Sequence, residues 1–118
     1  MIRILAAALV LAAGTASAHA ADVGGDYTVF GTNFDGSHYK GTATIRGSSS
    51  SCQITWTTGS TTSSGICILD GNVFAAAYQL GSDVGLAVYS VHDDGVLDGD
   101  WTIEGKEGSG TEVLTPAD

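Results

Sequence analysis

The chain has 118 residues, of which 13 are acidic and four are lysine or arginine, so its formal net charge is −9 at neutral pH. A chain of this length is long enough for one domain but not for two. Its acidity disfavours binding to nucleic acid or to anionic membranes, because both carry charge of the same sign.

The first twenty residues are typical of an export signal. Arg3 is followed by the uncharged apolar run ILAAALVLAA, and SAHA then supplies the small residues Ala18 and Ala20 at A-x-A spacing, with Ala16 and Ala18 as a second register. The run of about ten residues is far shorter than the roughly 20 of a membrane helix. We therefore expect cleavage after Ala20, a periplasmic or secreted protein without a membrane span, and one domain over residues 21–118.

Beyond the leader, polar and apolar residues alternate and no window has helical spacing. The segment YKGTATIR, for example, places its threonines and basic residues on one face and its apolar residues on the other. Such alternation predicts half-buried strands, and short turns rich in Gly, Asp and Ser separate them. The predicted strands are residues 25–31, 39–46, 52–58, 61–69, 72–79, 84–91, 96–103 and 109–115.

These eight strands have connections too short for a crossover helix, so neighbours along the chain are expected to pair antiparallel. An eight-stranded meander removes its two exposed edges most easily by closing into an up-and-down barrel. The sequence therefore predicts an all-β, antiparallel, small calycin-like barrel. A two-sheet sandwich is the alternative, but it requires longer connections than this chain has.

The only two cysteines, Cys52 and Cys67, lie at equal distances from the pair Gly59-Ser60. Gly at the first central position suits a two-residue type II′ hairpin turn, which pairs residues whose numbers sum to 119. Cys52 and Cys67 are such a pair, and directly opposed residues lie within the Cα distance that a disulfide tolerates. We predict a structural disulfide, as expected in an oxidising compartment.

No catalytic or metal-binding motif is present. His38 and His92 lie in predicted turns without a second ligand at a recognisable spacing, and the chain lacks H-E-x-x-H and G-x-S-x-G. The segment HDDGVLDGD is acidic, but Gly and Val occupy positions where a calcium loop needs an acid. We therefore expect no metal, no cofactor and no enzymatic activity, with the histidines at the surface.

Alternate residues of a strand point to the same side of the sheet, and this pattern places several aromatic residues and one acid inside the barrel. Trp56 and Trp101 share parity with apolar neighbours, and Glu112 alternates with Gly110 and Leu114. Glu112 is expected to anchor hydrogen bonds to backbone or to aromatic partners, since a buried Glu must be paired or protonated. The candidate ligand-binding residues are Tyr27, Tyr39, Trp56, Tyr89, Trp101 and Glu112.

Two interpretations of the interior remain. Small residues beside the rings leave room for an apolar pocket, or they make space for the rings to fill a solid core. These small residues are Gly31, Gly41, Ala43, Gly65 and Gly99. The filled core is favoured, because eight strands enclose an interior only just wide enough for side chains.

The segments GDYTVFGTNFDGSHYKGTATI, VYSVHDDGVLDGDW and GTEVLTP together resemble a family of small exported bacterial proteins. That family carries G-x-Y-x-V-x-G-T-N-P-D-G-S, D-G-x-L-x-G-x-W and a terminal G-T-E-x-L-x-P. The resemblance implies a calycin-like or avidin-like β-barrel, and some relatives carry a fibronectin-binding label. Phe34 stands where the family pattern has Pro, and the cysteine pair is not part of the pattern.

The expected function is therefore that of an exported, non-enzymatic binding or structural barrel. Its partner is expected to be an extracellular protein or glycan, contacted by the loops at one barrel mouth or by an outer strand face. One alternative is a carrier that holds a small apolar ligand inside the barrel. The other is a hydrolase that uses Glu112 together with a second inward carboxylate.

Overall fold

The computed structural model describes residues 22–117, which form eight antiparallel strands and no helix. The strands are β1 (Gly25–Thr32), β2 (His38–Ser48), β3 (Ser51–Thr58), β4 (Thr61–Asp70), β5 (Val73–Leu80), β6 (Asp83–Val91), β7 (Leu97–Ile103) and β8 (Gly110–Pro116). Every predicted strand is present with bounds that differ by at most two residues. The predicted leader and its cleavage site lie outside the described residues.

Each strand pairs with its neighbour in sequence, and β8 pairs with β1 to close the barrel. In the closing register Gly31 is opposite Glu112, and Val29 is opposite Leu114. Closure leaves no sheet edge unpaired, so the predicted up-and-down barrel is confirmed and the sandwich alternative is wrong.

The turns explain why successive strands can pair so tightly. Gly59 and Gly81 each begin a two-residue connection with a φ near +65°, and the residue after each has a negative φ. This is the type II′ pattern predicted for Gly59-Ser60. The turn expected at Asp70-Gly71 lies one residue later, because Asp70 still pairs with Val73.

The predicted disulfide is present. Cys52 and Cys67 face each other across β3 and β4, their Cα atoms are 4.9 Å apart, and both side chains are buried. The bond closes a sequence separation of 15 residues. It joins two strands that the Gly59 turn already holds in register, so its main effect is to restrict the unfolded chain.

The connections define two ends of the barrel. We call the end formed by residues 33–37, 59–60, 81–82 and 104–109 the mouth, and the opposite end the base. Large apolar side chains fill the half of the interior toward the base, each almost fully buried: Val29, Ile45, Ile54, Phe74, Leu97 and Leu114. The predicted filled core is therefore confirmed for this half of the barrel.

Tyr27 lies toward the base of the barrel, near the start of β1. Its side chain is buried, and its hydroxyl donates a 2.6 Å hydrogen bond to the carbonyl oxygen of Val23, which precedes β1. Burial, with a contribution from the charge of Asp22, raises the pKa of Tyr27 above its ordinary value. The hydrogen bond from Tyr27 thus fixes the position of the segment that precedes β1.

We predict that replacing both cysteines by serine lowers the free energy of unfolding by up to about 3 kcal/mol, the chain-entropy value for a loop of this length. The far-ultraviolet circular dichroism spectrum should keep its β shape, because the remaining ladders do not include the bond. Urea unfolding of the wild type and of Cys52→Ser/Cys67→Ser measures the difference.

Reductant provides the control for this comparison. Dithiothreitol should shift the wild type to the midpoint of the double variant and leave the variant unchanged. A double variant as stable as the oxidised wild type, or one that is unfolded in the absence of urea, would contradict the proposed role of the bond.

Candidate ligand site at the barrel mouth

The half of the interior toward the mouth is open and contains a cavity of about 260 Å³. Five aromatic side chains and one carboxylate line it: Tyr39, Trp56, Tyr78, Tyr89, Trp101 and Glu112. Asn33, Thr58, Thr61 and Ser63 add polar groups, and Leu80, Ala87 and Ile103 add apolar ones. The expectation of a filled core is therefore wrong for this half of the barrel.

The cavity exists because small residues stand where a side chain would occupy the interior. A Cβ atom at Gly31 would overlap the ring of Tyr39, and one at Gly85 would overlap the ring of Tyr78. Each ring therefore lies across a glycine of the neighbouring strand. The rings form the wall of the barrel interior instead of projecting to its centre, which leaves the centre open.

Glu112 lines the cavity and is 6% exposed. Its Oε1 atom accepts hydrogen bonds from the Tyr89 hydroxyl at 2.5 Å and from the Trp56 indole nitrogen at 3.0 Å. Its Oε2 atom accepts a hydrogen bond from the Tyr39 hydroxyl at 2.6 Å. Glu112 therefore has aromatic partners, one of the two kinds, backbone or aromatic, that the sequence predicts for it.

The strand register brings these groups together. Tyr89 is opposite Gly99 on β7, and Gly99 is opposite Glu112 on β8. On the other side, Glu112 is opposite Gly31 on β1, and Gly31 is opposite Tyr39 on β2. One inter-strand row thus has the order Tyr, Gly, Glu, Gly, Tyr. Because the glycines carry no side chain, each tyrosine reaches across one strand to the carboxylate.

Burial and the charge of Glu112 change the acidity of the tyrosines. Burial is the larger cause and the negative charge of Glu112 the second, and together they raise the pKa of Tyr78 to about 12. The same causes, with the hydrogen bonds to Glu112, raise the pKa values of Tyr39 and Tyr89 well above the ordinary range. These hydroxyls therefore remain protonated donors at neutral pH.

Aromatic contacts fix the remaining rings. Trp56 packs edge-on against Tyr78, with ring centroids 4.9 Å apart. Trp101 donates a hydrogen bond to the Thr111 carbonyl oxygen at 3.2 Å and stacks on Phe34, with centroids 4.8 Å apart. Phe34 belongs to the connection between β1 and β2 and so places a ring from a mouth loop beside the cavity.

Of the six predicted ligand-binding residues, five line the cavity: Tyr39, Trp56, Tyr89, Trp101 and Glu112. Tyr27 does not, because β1 begins at the base and Tyr27 is near its start. Tyr78 lines the cavity and was missed. Two sequence features identify it. Tyr78 lies four residues after Phe74, so both side chains point to the same side of the strand, and it comes shortly before the turn at Gly81.

The two histidines considered for chemistry lie outside the cavity. His38 and His92 are exposed; His38 stacks on Phe30, and His92 lies 3.3 Å from an oxygen of Asp98. Among the described residues that line the cavity, Glu112 is the only acid, so the cavity lacks the paired carboxylates of a glycoside hydrolase. Within residues 22–117 no three His, Cys, Asp or Glu residues are grouped to hold a metal.

The outer wall carries an apolar surface distinct from the cavity. Ile66 and Ile68 on β4 and Leu86 and Val88 on β6 are between 48% and 69% exposed. They flank Ala75 and Ala77 of β5 in the strand register. Exposed apolar patches of this kind are typical of sites that bind another molecule. No helix among the described residues is long and apolar enough to cross a membrane.

No family model matches the chain, and no curated protein matches it. Among solved structures, a redesigned beta barrel is similar with a TM-score of 0.68 and 16% identity, over 81% of this chain and 92% of the other. The REP1-NXSQ fatty acid transporter is similar with a TM-score of 0.55 and 16% identity, over 82% and 97% of the two chains. At this identity the likeness shows the fold alone, a small closed antiparallel β-barrel. The resemblance to an exported bacterial family stays a prediction.

The raised tyrosine pKa values predict a loss of stability in alkali. Below about pH 10 the tyrosines are protonated in both the folded and the unfolded chain. Between pH 10 and 12 the unfolded chain loses protons that Tyr78 in the folded chain retains, so the free energy of unfolding falls as the pH rises. Thermal melts from pH 8 to 12 should show this decline beginning near pH 10.

Tyrosinate absorbance at 295 nm provides the control. All four tyrosines have raised pKa values in the folded chain. Native protein at pH 10 should therefore show little tyrosinate, whereas protein unfolded in guanidinium should be about half ionised. Titration of the native tyrosines near pH 10 without unfolding would show that the hydroxyls are not buried as described.

Proposed function

We propose that this protein is an exported, non-enzymatic binding barrel that holds a small ligand in the cavity at its mouth. The observation that carries the proposal is the 260 Å³ aromatic cavity, which opens at one end of an otherwise filled barrel. Ligand sites are commonly concave and mostly aromatic or apolar, with a few placed polar groups. Glu112 and the hydroxyls of Tyr39 and Tyr89 supply such groups here.

The size of the cavity limits the ligand. Its volume is slightly below the roughly 300 Å³ at which pockets for drug-sized ligands begin. Phe74, Leu97 and Leu114 fill the interior beyond it, so a long acyl chain has no path through the barrel. The fatty acid named for the similar transporter is therefore a poor match to this cavity, and a compact ligand fits it better.

Export is supported by the disulfide and by the leader sequence. A disulfide between two buried cysteines is expected in a protein of an oxidising compartment. The mouth loops, which the sequence predicts to contact a protein or glycan, lie at the end where the cavity opens, and Asn33 in one of them lines it. Within this proposal they control access to the ligand, and Phe34 is the loop residue that stacks on a cavity ring.

Filling the cavity tests the proposal. Ser63 lines it and is opposite Trp56, whereas the next residue, Ser64, is exposed on the outer face of β4. Ser63→Phe should abolish binding of small aromatic probes, and Ser64→Phe should leave it unchanged. Binding is followed by the fluorescence of Trp56 and Trp101, which are the only tryptophans and both line the cavity.

Suitable probes are 2-phenylethylamine, 2-phenylethanol and phenylacetate, which share a ring and differ in charge. Binding of at least one of them with a dissociation constant below about 1 mM, lost in Ser63→Phe alone, supports the cavity site. If none of the three probes binds, or if Ser63→Phe and Ser64→Phe behave alike, the cavity is not the ligand site.

A further inference from the structure

We infer that the ligand of this cavity is a small organic cation, an ammonium group attached to a compact aromatic or short apolar body. The inference rests on the proposed function, because it names the class of ligand for the same site. The observation behind it is a buried carboxylate that has hydrogen-bond donors but no positive charge beside it.

Among residues 22–117, Glu112 has only neutral hydrogen-bond partners. Two phenol hydroxyls and one indole N–H donate to its oxygens. None of the described residues that line the cavity is Lys, Arg or His. The basic side chains Lys40, Arg46 and Lys106 are all exposed. Buried charges in proteins are usually paired with an opposite charge or with a metal, and the barrel itself supplies no such charge here.

The carboxylate also retains acceptor capacity. An ionised carboxylate has about four lone-pair positions. Oε1 accepts hydrogen bonds from Trp56 and Tyr89, whereas Oε2 accepts one from Tyr39. A second donor can therefore be accepted at Oε2, and Glu112 is among the residues that line the cavity. An ammonium N–H is a donor that also brings the missing charge.

The aromatic wall provides the second feature that a cation requires. Ring faces attract cations through their quadrupole, most strongly for Trp, and this attraction increases when the cation is removed from water. The cavity has rings on several sides, from Tyr39, Trp56, Tyr78, Tyr89 and Trp101. Rings around one carboxylate form a cage that suits an ammonium group better than a neutral one.

Neutral and anionic ligands fit the same site less well. An uncharged apolar body would displace water from the Glu112 carboxylate without replacing its hydrogen bonds, which is costly for a buried charge. An anion would meet like charge at Glu112 and on the protein as a whole, whose formal net charge is −9. The same net charge draws cations toward the protein and raises their local concentration.

The three probes, which are similar in size, separate these possibilities. Calorimetric titration of the wild type should give at least about tenfold tighter binding for 2-phenylethylamine, which is a cation at pH 7, than for 2-phenylethanol. Phenylacetate should bind most weakly. Equal or tighter binding of 2-phenylethanol, lost in Ser63→Phe, would overturn the cation inference while leaving the cavity site intact. Absence of binding by all three would overturn the proposed function as well.

Charge removal at Glu112 tests the same inference in the protein. Glu112→Gln keeps the size and one acceptor oxygen but removes the charge, so it should weaken binding of 2-phenylethylamine about tenfold more than it weakens binding of 2-phenylethanol. Glu107→Gln removes the same charge from an exposed residue of the connection between β7 and β8 at the mouth. It should change neither affinity by more than about twofold, since exposed charges are screened.

Equal weakening by both substitutions would show that general acidity, and not the Glu112 carboxylate, attracts the cation, and would overturn the inference. If Glu112→Gln does not fold, the comparison of the three probes on the wild type still decides the matter. That comparison requires no variant.

Discussion

The mouth half of the barrel depends on the hydrogen bonds to the Glu112 carboxylate. Placing a charged group inside a barrel is unfavourable unless its hydrogen bonds with water are replaced. Tyr39 on β2, Trp56 on β3 and Tyr89 on β6 replace them, so side chains from three strands converge on one residue of β8. Hydrogen bonds to an ionised acceptor are stronger than neutral ones. They hold the rings at the wall, where the rings surround a cavity.

The two halves of the interior differ because they are filled by different residue types. Branched and aromatic side chains meet at the base, where Ile45 is opposite Ile54 and Leu97 is opposite Leu114. Toward the mouth, Gly31 and other glycines alternate with rings that lie flat against the wall. The base half supplies apolar burial, so the mouth half can remain open without loss of the fold.

Most of the fold could be predicted from the sequence, because most contributions to it are local. Alternation of polar and apolar residues fixes the strands, and Gly59 at the centre of the Cys52 and Cys67 segment fixes one register and the disulfide. Closure follows from the need to pair the edges of β1 and β8. The predicted strand ends differ slightly from those observed because turn residues such as Asp70 still pair across the ladder.

The candidate site was only partly predictable. The alternation of side chains along each strand correctly places Trp56, Trp101 and Glu112 inside the barrel. It does not say at which height along the barrel axis an inward residue lies. Height depends on the direction of the strand and on the stagger between strands, so Tyr27 was grouped with residues at the opposite end. The row that joins Tyr39 and Tyr89 to Glu112 through two glycines depends on pairings across several strands, which the sequence alone does not supply.

The two indole N–H groups provide the most direct measurement of whether Glu112 organises the mouth half of the barrel. Trp56 donates to Glu112, whereas Trp101 donates to the backbone carbonyl of Thr111 and serves as an internal reference. In nuclear magnetic resonance spectra, Glu112→Gln should move the Trp56 indole proton upfield and speed its exchange with solvent several-fold, since a neutral acceptor holds it less strongly. The Trp101 indole proton should move less and keep nearly its wild-type exchange rate, because its backbone acceptor is unchanged. An unchanged Trp56 signal would contradict the central role of Glu112.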